Sequence, residues 1–252
     1  MNKKDLWDSK HYEQHSSPQQ QSAIRILDAF PFKGNETVLD IGCGDGKITK
    51  EICKKVPQGA VFGIDPSENM ILSATKNFGS IENLFFFKFG AQNFTFDFQF
   101  DLIVSFFAMH YVKDHKKALK NIYDGLKPGG TFIMLMAGGG KKEIEEILEK
   151  EKWKKLLAIK QERWHAKTET EYRPMLKETG FTKINTKTVS FSSHFEKKDD
   201  LTGWLLGWVP YVTGAEGQEA IQVSQEMAEN IAKDKEKNIE MSSPFLYVQA
   251  VK

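Results

Sequence analysis

The sequence predicts an α/β fold built around a mostly parallel β-sheet. Between residues 37 and 136, short runs rich in β-branched and aromatic residues alternate with longer amphipathic stretches. This alternation is typical of parallel strands joined by crossover helices. The chain has 252 residues, of which 40% are hydrophobic, and a chain of this length buries most of the surface that it exposes when unfolded. We therefore expect one domain over residues 1–252.

Five strands are predicted in the first part of the chain. They are Thr37–Ile41, Ala60–Asp65, Leu84–Phe89, Asp101–Phe106 and Thr131–Met136. A helix over Lys47–Val56 follows a glycine-rich turn and stops before Pro57, and Ser67 can cap the next helix. A third helix over Lys116–Leu126 ends at the segment LKPGG, which we expect to turn the chain back into a strand.

The second half of the chain is predicted to be mainly helical. After the glycines at 138–140, apolar residues recur at helical spacing in a stretch rich in lysine and glutamate, which predicts a helical insert. Two more strands are predicted at Phe181–Phe191 and Phe245–Val251, with a charged helix between them from Gln218 to about Asn238. We expect the lysine-rich run Lys233–Lys237 to form a solvated helix face.

Charge and cysteine content exclude several classes of protein. The 35 basic and 34 acidic residues give a net charge of +1, so no overall field attracts nucleic acid or a membrane surface. The chain contains no apolar run of the length that spans a bilayer and no signal-peptide pattern at its start. Its two cysteines, Cys43 and Cys53, lack CxxC spacing, which favours a reducing compartment. We expect a cytoplasmic protein without a metal that acts on a small molecule, as a monomer or homodimer.

Three alternate glycines follow the first predicted strand. In VLDIGCGDG, Gly42, Gly44 and Gly46 lack the Cβ atoms that would keep a ligand away from the backbone at the carboxyl end of the sheet. Asp65 ends the second strand 21 residues after Gly44, the separation at which an acid meets ribose hydroxyls in nucleotide-binding α/β domains. A dinucleotide fingerprint needs glycine or alanine where this chain has Lys47, so S-adenosylmethionine fits the turn better than NAD.

The segments VLDIGCGDG, GIDPSENM, FDLIVSFFAMHYV and LKPGG resemble, in order and spacing, the motifs of class I S-adenosylmethionine-dependent methyltransferases. The resemblance covers about residues 36–136 and implies a Rossmann-like, seven-stranded, mostly parallel sheet with an antiparallel last strand. It divides the chain into an N-terminal helical cap (1–35), a cofactor-binding core (36–137) and a region of helical insert and C-terminal strands (138–252), in which the insert is a possible lid.

The same resemblance implies a set of cofactor-binding residues. The three glycines flank the methionine part of S-adenosylmethionine, Asp65 binds the ribose, Met70 covers the adenine, and Ala91 and Gln92 lie at its edge. The remaining residues of this set are Asp40, Pro66, Ser105 and Phe106. Many members of the family have an acid before the alanine, where this chain has Gly90; Gln92 or a backbone carbonyl can take its place.

The segments SPQQQSAIRILDAF and SFFAMHYVKDHKKALKNIYDGLKPGG are similar to the group containing trans-aconitate and juvenile hormone acid methyltransferases, which esterify carboxylic acids. By that resemblance, Gln19 and Tyr111 hold the substrate carboxylate, although Tyr111 replaces a tryptophan. Tyr111 and His110 can equally be a packed strand end. For a hydroxyl or amine substrate, His110 would instead be a base.

Aromatic residues elsewhere in the chain are candidates for enclosing the substrate. They are Tyr12 and His15 near the N-terminus and Trp204, Trp208 and Tyr211 in the late insert. Each can instead belong to the core, because aromatic residues at helical spacing are common there. His11 and His15 lie four residues apart, and without a third ligand we expect them to be solvated. The alternative function, from a different class of protein, is a noncatalytic module that binds the cofactor and recruits a protein partner.

Overall fold

A computed structural model describes residues 7, 9–138, 142–233 and 235–252, without the side chains of residues 12 and 13. The strands of this part of the chain are β1 (Thr37–Ile41), β2 (Ala60–Ile64), β3 (Leu84–Phe87), β4 (Phe100–Phe106), β5 (Leu126–Ala137), β6 (Thr182–Lys197) and β7 (Lys237–Val251). The helices are α1 (Ser9–His15), α2 (Ser17–Asp28), α3 (Lys47–Lys55), α4 (Glu68–Phe78), α5 (His115–Gly125), α6 (Lys142–Leu148), α7 (Lys154–Arg163), α8 (Glu169–Thr179), α9 (Lys198–Leu206), α10 (Val209–Thr213) and α11 (Gly217–Ala232).

The strands form one sheet in the order β3-β2-β1-β4-β5-β7-β6. Strands β1 to β5 pair in parallel, whereas β7 is antiparallel to both β5 and β6. The predicted seven-stranded, mostly parallel sheet with an antiparallel last strand is confirmed. Because the strand order reverses between β1 and β4, a crevice opens there at the carboxyl ends of the strands.

Helices cover both faces of the sheet. Val38 of β1 packs on one face with Ile52 of α3, and the next residue, Leu39, packs on the other face with Leu119 of α5 and Tyr172 of α8. Successive side chains of a strand point to opposite faces, so a strand covered on both sides is apolar throughout. This is why the central strands appear in the sequence as continuous apolar runs.

The first half of the chain follows the sequence prediction closely. Helices α3 and α5 lie within one residue of the predicted bounds, and α4 is capped by Ser67, whose Oγ accepts from the backbone N–H of Met70 across 3.1 Å. Strand β3 ends at Phe87 instead of Phe89. It lies at the edge of the sheet and pairs only with β2, which itself ends at Ile64, so the ladder stops there.

The segment LKPGG belongs to β5 and is irregular, where a turn before the strand was predicted. Leu126 pairs with Phe100 and Thr131 pairs with Leu102, so the register shifts across the segment. Gly129 has a φ of 79°, and its N–H donates to the carbonyl of Lys252 across 3.1 Å. The chain does bend here, but hydrogen bonds to the chain end after β7 keep the bend within the sheet.

Helices occur both after β5 and between the last two strands, where the sequence predicts them. Helices α6 and α7 follow β5, and α9 to α11 lie between β6 and β7. Their apolar side chains share a separate core that includes Leu148, Leu205 and Met227. We call these five helices the helical layer. None of the helices in the described ranges is both long and apolar enough to cross a membrane.

Strands β6 and β7 are longer than predicted. They pair with each other from Thr182↔Val251 to Lys197↔Lys237. Strand β5 pairs with β7 only from Phe245 to Val251, so β6 and β7 continue beyond the rest of the sheet as a two-stranded ribbon that contacts the helical layer. The predicted helix face at Lys233–Lys237 is therefore wrong: α11 ends at Ala232, and Lys237 begins β7. Residue 234 of that run lies outside the described residues.

Candidate active site

The three alternate glycines form a turn between β1 and α3. Gly42, Gly44 and Gly46 have φ angles of 75°, 54° and 84°, a left-handed conformation that glycine adopts at little cost. The N–H groups of Gly42 and Cys43 donate to the carbonyl of Ile64 across 2.7 and 3.0 Å. The turn is thereby held against the carboxyl end of β2, at the crevice.

Two of these glycines also allow close packing within the protein. A Cβ atom on Gly42 would overlap the side chain of Ala108, which follows β4, and one on Gly46 would lie 2.8 Å from the ring of Phe86 in β3. The predicted reason for the glycines is room for a ligand. Close approach of the segments around β3 and β4 is a second reason that the sequence does not reveal.

Asp65 lies directly beside the turn. Its carboxylate accepts from the N–H of Gly44 across 3.1 Å and from the N–H of Ser67 across 2.8 Å. The spacing of 21 residues thus brings the acid and the middle glycine into contact. A carboxylate accepts up to about four hydrogen bonds, so these two bonds orient Asp65 and are compatible with its binding ribose hydroxyls as well.

Three predicted cofactor residues lie beneath the crevice surface. Asp40, Ser105 and Phe106 are buried. Asp40 accepts from the hydroxyl of Thr49 across 2.7 Å, and the hydroxyl of Ser105 donates to the carbonyl of Ile41 across 2.9 Å. The structure therefore places these residues where they support the turn, because their polar groups are occupied by the protein and Phe106 packs into the core.

Asp40 is unusual in its ionisation. Burial raises its pKa to about 7, the hydrogen bond from Thr49 opposes this rise, and the negative charge of Asp65 adds to it. A carboxyl group with this pKa titrates near neutrality, whereas an exposed aspartate is ionised well below it.

The predicted adenine-binding residues follow the carboxyl ends of β2 and β3. Met70 and Ala91 are buried, Gln92 is half-buried, and Pro66 is exposed. Asn121 of α5, which the sequence reasoning missed, donates its side-chain N–H to the carbonyls of Ala91 and Phe94 across 3.3 and 3.1 Å. These bonds hold the loop after β3 in place.

A second concavity, which we call the acceptor cavity, has a volume of about 120 Å³ and lies between the end of β4, helix α2 and the helical layer. Five of the residues predicted from the sequence line it: Gln19, His110, Tyr111, Trp204 and Trp208. The sequence reasoning missed other lining residues, among them Phe107, Ile144, Glu145, Lys160, Trp164 and Met241. These residues lie in or next to strands and helices, and no motif in the sequence distinguishes them from core residues.

Two predicted pocket residues lie elsewhere. The ring of His15 packs on Gly203 of α9, where an added Cβ would lie 2.5 Å from it, because α1 crosses α9 at this glycine. Tyr211 lines a neighbouring surface opening and stacks on Trp7 with ring centroids 4.6 Å apart. The side chain of Tyr12 lies outside the described residues.

The prediction of solvated histidines in α1 is also corrected. The Nε2 of His11 forms a hydrogen bond of 2.7 Å with the carbonyl of Gly203, and its ring stacks on that of His15 with centroids 4.2 Å apart. Among the described residues no three His, Cys, Asp or Glu side chains group closely enough to hold a metal ion.

His110 is the most deeply buried polar side chain of the acceptor cavity, with 3% of its surface exposed. Burial lowers its pKa to about 3, and the charge of His115 acts in the same direction. The ring centroid of His110 lies 4.1 Å from that of Tyr111 and 4.3 Å from that of Trp164. His110 is therefore a neutral imidazole at neutral pH.

The acceptor cavity also contains an ion pair. Lys160 of α7 lies 2.6 Å from a carboxylate oxygen of Glu145 in α6, and the lysine side chain is 10% exposed. Its ammonium group also lies 5.6 Å from the ring centroid of Trp164. The pair joins the two helices that follow β5 and leaves this part of the wall close to neutral.

Comparison with known proteins shows that this chain is similar to methyltransferases. Residues 39–132 match a family model described as a methyltransferase domain. Putative methyltransferase 235L of Invertebrate iridescent virus 6 is 26% identical over 207 residues, which are 81% of this chain and 77% of the viral protein. Juvenile hormone acid O-methyltransferase of Bombyx mori is 30% identical over 147 residues, which are 55% of this chain and 51% of the moth protein. The match thus spans about half the length of the moth enzyme.

Solved structures share the fold. Phosphoethanolamine N-methyltransferase 2 of Haemonchus contortus, in complex with S-adenosylhomocysteine, superposes with a TM-score of 0.64 at 21% identity, over 92% of this chain and 52% of that one. The sheet topology, the match to a methyltransferase domain over residues 39–132 and the named methyltransferase relatives together support a class I S-adenosylmethionine-dependent methyltransferase. The comparisons also support S-adenosylmethionine as the cofactor, which is the cofactor that the motifs predict.

Proposed function

We propose that this methyltransferase transfers the methyl group to a carboxylate oxygen of a small-molecule acceptor bound in the acceptor cavity. The similarity to juvenile hormone acid O-methyltransferase supports this assignment. The position of the cavity supports it as well, because Phe107 and His110 follow directly after β4, at the same end of the sheet as the glycine turn.

The observation that carries the proposal is the burial of His110 in the cavity wall, where its ring centroid lies 4.1 Å from that of Tyr111 and 4.3 Å from that of Trp164. A base whose conjugate acid has a pKa of about 3 is too weak to deprotonate a hydroxyl group efficiently, since catalytic bases work best with pKa values near the working pH. A carboxylic acid is already ionised at neutral pH, and its methylation needs no base. The site therefore favours an acceptor that arrives as an anion.

Within this proposal the protein mainly positions the two reactants. S-adenosylmethionine supplies the activated methyl group when it is bound. Asp65 and the glycine turn hold the cofactor, while Gln19 and Tyr111 orient the acceptor. Alignment of two reactants can contribute on the order of 7–11 kcal/mol, and an apolar cavity excludes the water that would otherwise solvate the acceptor anion.

Charge and cysteine content bear on the kind of acceptor and on the compartment in which the enzyme acts. A net charge of +1 supports a small-molecule acceptor in preference to nucleic acid. The two free, buried cysteines are compatible with a reducing cytoplasm, where we propose that the enzyme acts as a monomer or homodimer.

The test is a product assay with S-adenosylmethionine labelled in its methyl group. Purified protein is incubated with separate pools of carboxylic acids, amines and alcohols, and each labelled product is treated with mild base. We expect label to enter the acid pool, in a product that releases labelled methanol on hydrolysis. A base-stable product from the amines would overturn the proposal in favour of N-methylation, and cofactor binding without product from any pool would favour a noncatalytic module.

A further inference from the structure

Strand β3 forms one edge of the sheet, and aromatic side chains are exposed beside it. Phe85 and Phe87 of this strand are 41% and 38% exposed, and Phe98 in the segment before β4 is 43% exposed. The ring centroid of Phe62 in β2 lies 5.2, 6.3 and 5.1 Å from those three rings, respectively. We call these four residues the phenylalanine patch. Contiguous exposed apolar surface on a folded protein commonly marks an interaction site.

The connection from β3 to β4 leaves the patch exposed. Residues 88–99, all of which are described, contain neither a helix nor a strand, although parallel strands are usually joined by a helix that covers one face of the sheet. Phe94 and Phe96 of this connection pack against the core. Phenyl rings thus cover this end of the sheet, and the outer rings face solvent.

The backbone of β3 also has unused hydrogen-bonding capacity at this edge. The N–H groups of Val61 and Asp65 donate to the carbonyls of Asn83 and Phe87 across 2.9 and 3.3 Å, so alternate residues of β3 face β2. The residue between them in the strand, Phe86, directs its N–H and carbonyl groups away from the sheet. An edge strand of this kind is a template for pairing with another strand.

A second copy of β3 fits this edge in an antiparallel register centred on Phe86. The two Phe86 residues then donate to and accept from each other, and the N–H of each Lys88 reaches the carbonyl of Leu84 in the second copy. In the same register Phe85 of each copy lies directly opposite Phe87 of the other, on the exposed face. Aromatic pairs at opposed positions of neighbouring strands stabilise a sheet.

The charges at the two ends of β3 favour the same arrangement. Glu82 before the strand and Lys88 after it are both exposed, and antiparallel pairing brings the glutamate of one copy toward the lysine of the other. Lys88 already forms an ion pair of 2.7 Å with Glu68, but both side chains are more than half exposed, and such a pair contributes little. By contrast, the edge strand β6 carries Lys183 and Lys187, and lysines on an edge oppose pairing.

We propose that two copies of this chain form a dimer by antiparallel pairing of their β3 edges, which buries both phenylalanine patches. The arrangement is two-fold symmetric and closed, because each edge covers the other. None of the described residues that line the acceptor cavity belongs to β3, so the dimer leaves the cavity open. The proposal is independent of the acceptor and can therefore fail while the proposed function stands.

Sedimentation equilibrium of the full-length protein tests the interface. We expect wild type to have twice the monomer mass and Phe85→Lys to weaken association at least tenfold, since a lysine there is buried against Phe87 of the second copy. Ile221→Lys is the matched control, because Ile221 is also an exposed apolar residue but lies in α11; it should change association less than twofold. Glu82→Lys should weaken association, and adding Lys88→Glu to that variant should restore it.

Disulfide cross-linking tests the register. Directly opposed residues of a non-hydrogen-bonded pair have Cα atoms about 4.5 Å apart, whereas diagonal neighbours are about 7–8 Å apart, too far for a disulfide. A mixture of Phe85→Cys and Phe87→Cys chains should therefore give a disulfide-linked dimer on mild oxidation, and either chain alone should not. The native Cys43 and Cys53 are buried, so wild type supplies the background.

Unchanged near-ultraviolet circular dichroism and unchanged affinity for S-adenosylhomocysteine show that a variant is folded. A monomeric wild type would overturn the proposal, including the case in which a different protein binds the phenylalanine patch. A dimer that Phe85→Lys leaves intact would place the interface elsewhere and would equally overturn it. Cross-linking of Phe85→Cys chains alone would overturn the pairing of Phe85 with Phe87.

Discussion

Trp204 of α9 donates its indole N–H to the side-chain oxygen of Gln19 in α2 across 3.1 Å, joining residues 185 positions apart. This bond connects α2 to the helical layer, and both residues line the acceptor cavity. It also turns the carbonyl end of the Gln19 amide toward the tryptophan. The amide N–H₂ group is the remaining donor of Gln19, which is the role expected of a residue that orients a carboxylate.

The first prediction concerns Gln19. Gln19→Glu keeps an acceptor for Trp204 but adds a negative charge to the cavity, so we expect the KM for a carboxylic acid to rise at least tenfold, with a smaller rise for Gln19→Ala. Steady-state kinetics with the acid identified in the product assay measures both. Gln21→Ala, on the exposed side of the same helix, is the control. A smaller effect of glutamate than of alanine would contradict the role of charge.

The second prediction separates backbone strain from close packing at the glycine turn. Gly42 and Gly129 have similar φ angles of 75° and 79°, but an added Cβ overlaps Ala108 only at Gly42 and meets nothing within 4 Å at Gly129. Gly129→Ala should cost about 1–2 kcal/mol of unfolding free energy, and Gly42→Ala about 1–3 kcal/mol more because of overpacking. Urea unfolding measures the difference. Equal losses would show that the contact with Ala108 relaxes freely.

The third prediction ranks two cofactor contacts. Hydrogen bonds to a charged group contribute about 1.5–3 kcal/mol and those between neutral groups about 0.5–1.5 kcal/mol. Asp65→Ala should therefore weaken S-adenosylmethionine binding by more than tenfold, and Gln92→Ala by less. Asp65→Asn is the matched variant, since it keeps the shape and removes the charge. A larger loss for Gln92→Ala in calorimetric titration would show that the ribose is not bound at Asp65.

The fourth prediction tests whether His110 is a base. Its buried ring lines the acceptor cavity and removes no proton in the proposed mechanism. His110→Ala should consequently raise the KM for a carboxylic acid while retaining at least a tenth of kcat. Saturating kinetics on the folded variant gives both constants. A loss of kcat beyond a thousandfold would favour proton abstraction from a hydroxyl or amine substrate.

The fifth prediction concerns stability in acid. The pKa of His110 is about 3 in the folded chain and about 6.5 when unfolded. Between these values the unfolded chain binds a proton that the folded chain excludes, so the free energy of unfolding falls as the pH falls from 6.5 toward 3. The expected slope from this one group is about 1.4 kcal/mol per pH unit.

His110→Asn should remove that slope, and urea unfolding at several pH values between 7 and 5 measures it as the difference between wild type and variant. The difference is needed because the raised pKa of Asp40 acts oppositely, stabilising the fold as the pH falls through about 7. His194→Asn, at an exposed position of β6, is the control. Parallel curves for wild type and His110→Asn would mean that His110 titrates normally in the folded protein.

Much of the glycine turn and its surroundings could be predicted because the residues concerned lie in short sequence motifs. The apolar runs of β1 and β2, the alternate glycines and the spacing to Asp65 each lie within a short segment, and parallel strands bring their carboxyl ends together. The supporting contacts were less predictable. Nothing in the sequence indicates that Asn121 holds the loop at Ala91, because the bond depends on how α5 packs.

The sequence by itself determined the fold class, the methyltransferase motifs and the residues of the turn, since these depend on periodicity and on glycine at positions of positive φ. Only the tertiary structure decided which aromatic residues line the acceptor cavity. Trp204 and Trp208 line it whereas His15 packs against Gly203, although the sequence offered all three equally as pocket or core residues. The reason is that the cavity walls come from α2, β4 and two separate parts of the helical layer, and their approach is set by the packing of that layer over the sheet.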